Sequence, residues 1–252
     1  MSHNLEVRVS DSKEPVKSIL FDIDGTLVNG LSMIVAGLGD AFEKYGSHRP
    51  GDADILALIG IPLSEQMQRF GCCPKDDAEK EEMIQFTIDR YQLHAHLEQE
   101  YIEAVEALTL ASRSNINIAL VTSRNTRELK NLEDSFSAWD SVHVTVCASD
   151  VCKPKPHPES ALLALSKLNG TASDSVFIGD SIFDLKCAKS AGIRCGAVLY
   201  GAGRKEDLLA EAPDLIFTTP LDLLEWVQTI VEQSHAKEED LRPNSFESRS
   251  KG

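Results

Sequence analysis

The chain has 252 residues and carries 40 Asp plus Glu against 25 Lys plus Arg, a formal net charge of −15. Such an acidic balance, at a pI near 4.9, excludes sequence-independent nucleic-acid binding, which needs clustered Lys and Arg. Hydrophobic residues make up 42% and charged residues 26%, an ordinary globular composition, and no run approaches the roughly 18 apolar residues of a membrane span. The opening MSHNLEVRVSDSKEP mixes charges and lacks the apolar core of a secretory signal. A cytoplasmic protein without a membrane partner is expected. The six cysteines (72, 73, 147, 152, 187 and 195) include no C-x-x-C pair, so reduced thiols are expected rather than a zinc site.

Taken in chain order, residues 1–15 are polar and end at Pro15, which reads as an N-terminal arm. VKSILFD (16–22) is an apolar run of strand length that stops at a Gly turn. NIALVT (117–122), VHVTVC (142–147) and SVFIG (175–179) share this shape, and GAVLY (196–200) and DLIFT (214–218) are shorter versions of it. Near-continuous apolar strands fit a parallel sheet buried on both faces. Helical patterns at 101–114, 124–135, 158–168, 182–191, 204–211 and 221–233 alternate with them. The alternation predicts an α/β, doubly wound, Rossmann-like core made of 16–28 and 101–233.

Residues 29–100 break that rhythm. No strand pattern occurs there. Leu31, Ile34, Val35, Leu38, Phe42 and Tyr45 recur at helical spacing, and further helical segments lie near 52–58, 63–70 and 76–97. This insertion predicts an all-helical cap. From 234 the chain is polar and balances acids against bases, which predicts a disordered tail over 234–252.

FDIDGTLV (21–28) puts Asp22 and Asp24 where a strand runs into a turn. Residues i and i+2 face one side of a strand, so the two carboxylates converge, and the C-terminal edge of an open α/β sheet is where ligands bind. FIGDSIFD (177–184) delivers Asp180 and Asp184 to the same edge. Hard oxygen ligands in this number suit Mg²⁺, whereas zinc or copper would call for Cys or His. Thr122 and Ser123 end a strand before a helix, where hydroxyls and backbone N–H groups cradle an oxyanion. CKPKPHPE holds Lys153 and Lys155 in a Pro-braced loop that aims an ammonium at phosphate.

The order DxDGT, Thr-Ser, Lys in KPxP and GDSxxD resembles the haloacid dehalogenase superfamily from residue 16 to about 230, and within it the phosphoglycolate phosphatase group with its helical cap. The resemblance implies a Mg²⁺-dependent phosphatase for a small phosphorylated metabolite. Asp22 would be the nucleophile that forms an aspartyl-phosphate, and Asp24 the general acid and base. Thr122, Ser123 and Lys155 would bind phosphate, with Lys155 aligning better than Lys153. Asp22, the main-chain carbonyl of Asp24, and Asp180 would hold the metal, with Asp184 orienting water or the lysine.

This sequence departs from the family pattern at Asn29-Gly30, the expected cap hinge, and mildly at Arg124, where relatives often carry Lys. A β-phosphoglucomutase-like phosphomutase, a pyrophosphatase and a catalytically silent binding protein remain alternatives, although Thr26 favours the hydrolase over the mutase. The GIPLSEQ turn, with Gly60 and Leu63, is expected to face the substrate. Arg49, Arg69 and Arg90 are read as surface charges of the cap, any one of which is a candidate for a distal anion. His94 and His96, two apart on a helix, point to different faces and cannot form a metal pair.

Overall fold

The computed structural model describes residues 15–46 and 48–240, with side chains through 236. The expected N-terminal arm, apart from Pro15, and tail residues 241–252 lie outside the described residues.

Strand β1 (Ser18–Phe21) opens the fold and is followed by the two-residue β2 (Val28–Asn29). Helices α1 (Leu31–Tyr45), α2 (Asp52–Leu56), α3 (Leu63–Arg69) and α4 (Asp77–Leu93) follow. The chain returns through β3 (Gln99–Glu100) to α5 (Ile102–Arg113), β4 (Asn117–Val121), α6 (Thr126–Glu133) and β5 (Val144–Val146). Next come α7 (Glu159–Leu168), β6 (Ser175–Gly179), α8 (Ile182–Ser190) and β7 (Arg194–Val198). Helix α9 (Lys205–Ala210), β8 (Leu215–Phe217) and α10 (Pro220–Asp240) complete it.

Six strands form one parallel sheet in the order β5-β4-β1-β6-β7-β8. The apolar runs explain why it is covered on both sides. Ile19, Phe21, Ile118, Leu120, Val176 and Ile178 pack on one face, under α5 and α10. Leu20, Ala119, Val121 and Phe177, from the alternate positions, pack on the other, against α7 and α8. Burying each large apolar side chain contributes roughly 1.5–3 kcal/mol, so both faces stabilise the sheet. From β1 the chain builds outward to β4 and β5, then crosses back to β6 on the other flank. The strand order therefore reverses at β1, and its C-terminal end faces the crevice that such a reversal creates.

The helical insertion has its own core, with Leu38, Phe42, Ile55, Met67, Met83 and Ile88 buried where α1 packs on α4. Two details differ from the sequence reading. The insertion contains strand after all: β2 and β3 pair antiparallel, Val28 with Glu100 and Asn29 with Gln99, tying together its two connections to the sheet. With only two residues per strand, and with Asn29 and Gln99 exposed, no alternation marks them. Helix α10 also continues past 234, within the expected tail, to Asp240.

Candidate active site

Asp22, Thr122 and Asp180 each follow directly on the last residue of β1, β4 or β6, the three central neighbours of the sheet. Parallel register brings these ends level, because Phe21 pairs with both Leu120 and Ile178. Asp184 comes in on the first turn of α8, where it forms a capping box with Ser181. Lys155 arrives from the Pro-braced loop, which Glu159 anchors by accepting the backbone N–H groups of Cys152 (2.8 Å) and Lys153 (3.0 Å). Of the two lysines in that loop, Lys155 is buried and Lys153 is exposed.

The Lys155 ammonium donates to Asp22 Oδ1 (2.8 Å), Asp184 Oδ1 (2.6 Å) and the Val121 carbonyl (3.3 Å). Asp184 Oδ2 accepts from the Ser181 backbone N–H (3.0 Å) and hydroxyl (2.5 Å). Asp180 Oδ2 accepts from Ala202 N–H at 2.6 Å, while Asp180 Oδ1 is buried with no partner among the described residues. Oxygens of Asp22, Asp180 and Asp184 lie within 4.8 Å of one another. Three buried carboxylates with one ammonium leave an excess of negative charge that burial makes costly.

The titration behaviour follows from that excess. Burial, reinforced by the charges of Asp184 and Asp24 and opposed by Lys155, pushes Asp22 up to about 7. Asp180 is raised well above the usual carboxylate range, by burial first and then by Asp22 and Asp184. Lys155 moves the other way: burial works against its charge, but Asp184 and Asp22 outweigh it and keep the ammonium protonated. An orphaned Asp180 oxygen in an all-oxygen, over-acidic pocket fits a hard divalent cation.

Gly25, in the turn after Asp24, has φ +80°, and a Cβ there would sit 2.0 Å from Asp180 Oδ2. Only glycine lets the turn lie directly on that carboxylate.

Asp24 faces the cap. Arg124 holds both its oxygens, Nε on Oδ2 at 2.9 Å and Nη2 on Oδ1 at 2.7 Å, and Nη2 also donates to Glu98 Oε2 at 2.7 Å. By sequence, Arg124 is only a mild departure from the family pattern and Glu98 belongs to no motif. Adjacency to Thr122-Ser123 was a usable signal for the arginine, whereas nothing local marks the glutamate.

Thr122 is buried and accepts the Arg124 backbone N–H (3.1 Å). The Ser123 hydroxyl, expected to meet phosphate, donates instead to the carbonyl of Gly60 in the cap at 2.6 Å. Gly60 has φ +104°, and a Cβ there would meet Ser181 Oγ at 2.7 Å. The cap loop is thus fitted against both Ser123 and Ser181. Gly60→Ala is expected to cost about 1–3 kcal/mol through backbone strain and displacement of this joint. Thermal unfolding checks it, and an unchanged midpoint would contradict the fit.

Between cap and sheet lies a cavity of about 260 Å³ whose lining includes Asp22, Asp24, Gly60, Leu63, Ser123 and Arg124. Arg49, Arg69 and Arg90 do not line it; they pair with Asp52 (2.8 Å), Glu65 (2.7 Å) and Asp40 (2.6 Å). His94 bonds Asp40 as well, at 3.1 Å.

Comparison with known proteins follows the same lines. A pyrophosphatase, PpaX, of Bacillus velezensis is 30% identical over 83% of this chain and 95% of its own. Phosphoglycolate phosphatase 1 of Pseudomonas aeruginosa is 26% identical over 82% of this chain and 78% of its own. A crystal structure described as a predicted phosphoglycolate phosphatase from Haemophilus somnus 129pt superposes with a TM-score of 0.74, at 22% identity, covering 84% of this chain and 98% of that one. Residues 19–198, from β1 to the end of β7, match the description of one family throughout, and the chain belongs to it: the haloacid dehalogenase-like hydrolases.

Proposed function

We propose that the chain is a Mg²⁺-dependent phosphomonoester hydrolase, phosphoglycolate phosphatase-like in its machinery, that acts on a small phosphorylated metabolite through an aspartyl-phosphate on Asp22. The observation that carries this reading is the buried cluster of Asp22, Asp180, Asp184 and Lys155, with Asp180 Oδ1 unpartnered. Asp22, the Asp24 carbonyl and Asp180 would hold Mg²⁺. Bound there, the ion neutralises phosphoryl charge that a bare carboxylate would repel.

Lys155 fixes Asp22 Oδ1, leaving Oδ2 to attack phosphorus as the bond to the leaving oxygen breaks. Asp24 gives that oxygen a proton. In the second step water attacks the phosphoryl group, Asp24 takes its proton, and the bond to Asp22 breaks to release inorganic phosphate. Arg124 orients the Asp24 carboxyl, Thr122 and Lys155 bind phosphoryl oxygens, and Asp184 steadies the lysine. Residues 29–100, joined through β2 and β3, act as a cap that keeps bulk water out. The PpaX relative's name favours pyrophosphate as a second reading on the same machinery. A cytoplasmic enzyme working apart from membranes and nucleic acid suits the net charge of −15, and no helix among the described residues is long and apolar enough to cross a membrane.

Hydrolysis of p-nitrophenyl phosphate should disappear with EDTA and return with Mg²⁺. A hundredfold excess of Mg²⁺ over its Kd stabilises by about 2.7 kcal/mol. The rise in Tm should be larger at pH 8 than at pH 5.5, because ion and proton compete for Asp22, whose carboxyl burial pushes up to about 7. Full activity without metal would overturn the reading.

A further inference from the structure

The cavity between cap and sheet receives whatever group leaves with the oxygen, and its lining describes that group. This step rests on the proposed phosphoryl chemistry at Asp22. Much of the wall is apolar, with Met33, Ile34, Ile59, Ile61, Leu63 and Phe136 contributed from both sides. Its ionisable groups are one-sided: among the lining residues five carboxylates (Asp22, Asp24, Glu98, Glu100 and Glu128) face a single guanidinium, Arg124. That guanidinium is already held by Asp24 through Nε and Nη2 and by Glu98 through Nη2. The start of α6, a potential anion site, is closed by its own capping box, in which the Asn125 side chain and the Glu128 carboxylate take the free N–H groups. The cap arginines Arg49, Arg69 and Arg90 pair with Asp52, Glu65 and Asp40, outside the cavity.

Acceptors, by contrast, are in surplus. Gln66 donates through Nε2 to the Ile61 carbonyl at 2.7 Å, and its Oε1 is buried without a partner among the described residues. A buried acceptor gains most from a donor that comes with the substrate. A second anion would instead face several carboxylates across a small volume with no unengaged cation among the described lining residues.

We propose that the enzyme selects phosphate monoesters whose leaving group is an uncharged alcohol with some carbon surface and a further O–H donor, and that it discriminates against leaving groups bearing a second acid. That places phosphoglycolate and pyrophosphate among its poor substrates, despite the names of its relatives. Selection comes from Arg124 being engaged by Asp24 and Glu98, from the surrounding carboxylates, and from Gln66 as the donor-seeking acceptor.

A matched pair tests it directly. 2-Hydroxyethyl phosphate and phosphoglycolate differ only in a hydroxymethyl in place of a carboxylate. With wild-type enzyme and saturating Mg²⁺, kcat/KM should be at least tenfold higher for the hydroxyethyl ester, and pyrophosphate should be no better than phosphoglycolate. Glu98→Gln, which releases one anion from Arg124, should shift the ratio at least tenfold toward phosphoglycolate. Gln66→Leu should lower kcat/KM for the hydroxyethyl ester and leave that for phosphoglycolate within twofold. Should either variant fail to fold, the wild-type ratio decides alone. A wild-type preference for phosphoglycolate or pyrophosphate, with p-nitrophenyl phosphate still hydrolysed, overturns this inference and spares the proposed function. No hydrolysis of any ester, p-nitrophenyl phosphate included, overturns both.

Discussion

Asp22→Asn is expected to lower turnover by at least about 10³-fold while leaving the metal-free protein as stable as wild type, or more so, at pH 8. The amide keeps the shape and still accepts from Lys155, yet it cannot become an acyl phosphate. Its effect on stability follows from charge. Asp22, Asp180 and Asp184 share one ammonium in a buried space, and burial raises the Asp22 carboxyl from 3.8 to about 7. A carboxyl whose folded value lies above its unfolded value favours the fold when protonated. That contribution is complete below about pH 4 and is lost as pH rises through about 7. The metal-free wild type should therefore lose stability over this window, and Asp22→Asn should flatten the loss. Thermal unfolding between pH 5 and 8 and single-turnover assays for a phospho-enzyme check both halves. Normal turnover by the asparagine variant would remove Asp22 from the chemistry.

The candidate site is legible in the sequence because of how the sheet is encoded. Asp22, Thr122 and Asp180 each close an uninterrupted apolar run, and a run buried on both faces is readable from nearest neighbours. The parallel layers and the helical insertion were legible for the same reason, since their periodicities are local. The ion pairs that aim the site were not. Arg124 reaches Asp24 and Glu98 across the cap–sheet boundary, and no local pattern links those three positions. Ser123 shows the limit in the other direction. Its place after a strand suggests a phosphate ligand, and nothing local announces that its hydroxyl also donates to the Gly60 carbonyl of the cap at 2.6 Å. The β2–β3 pair was hidden because a two-residue strand has no alternation to display, and the extra turns of α10 because polar residues continue a helix without announcing it.

The largest combined loss of activity and stability is expected from Lys155→Ala. The ammonium is almost wholly buried, with 1% of its side chain exposed, and it contacts Asp22 and Asp184, whose side chains are 4% and 1% exposed. Removing one partner of a buried pair typically costs 3–5 kcal/mol, because the charge left behind is uncompensated. Here two carboxylates lose their partner at once, beside Asp180, which already has an unpartnered oxygen. The variant should melt roughly 6–20 °C lower in a chain of this size, with the deficit growing as pH rises and the Asp22 carboxyl, which burial pushes up to about 7, ionises. Lys155→Met, which restores volume without charge, should recover little of it, and Mg²⁺ should recover part by supplying positive charge to the same oxygens. Activity should fall by at least about 10²-fold in both, since the phosphoryl group loses one of its cations. Lys153→Ala, two residues away, is the control. Its side chain is exposed and its backbone N–H, which the substitution retains, is what Glu159 accepts, so its effect should stay within about 0.5 kcal/mol. A crippled Lys153→Ala beside an active, stable Lys155→Ala would mean that the working ammonium had been assigned to the wrong lysine.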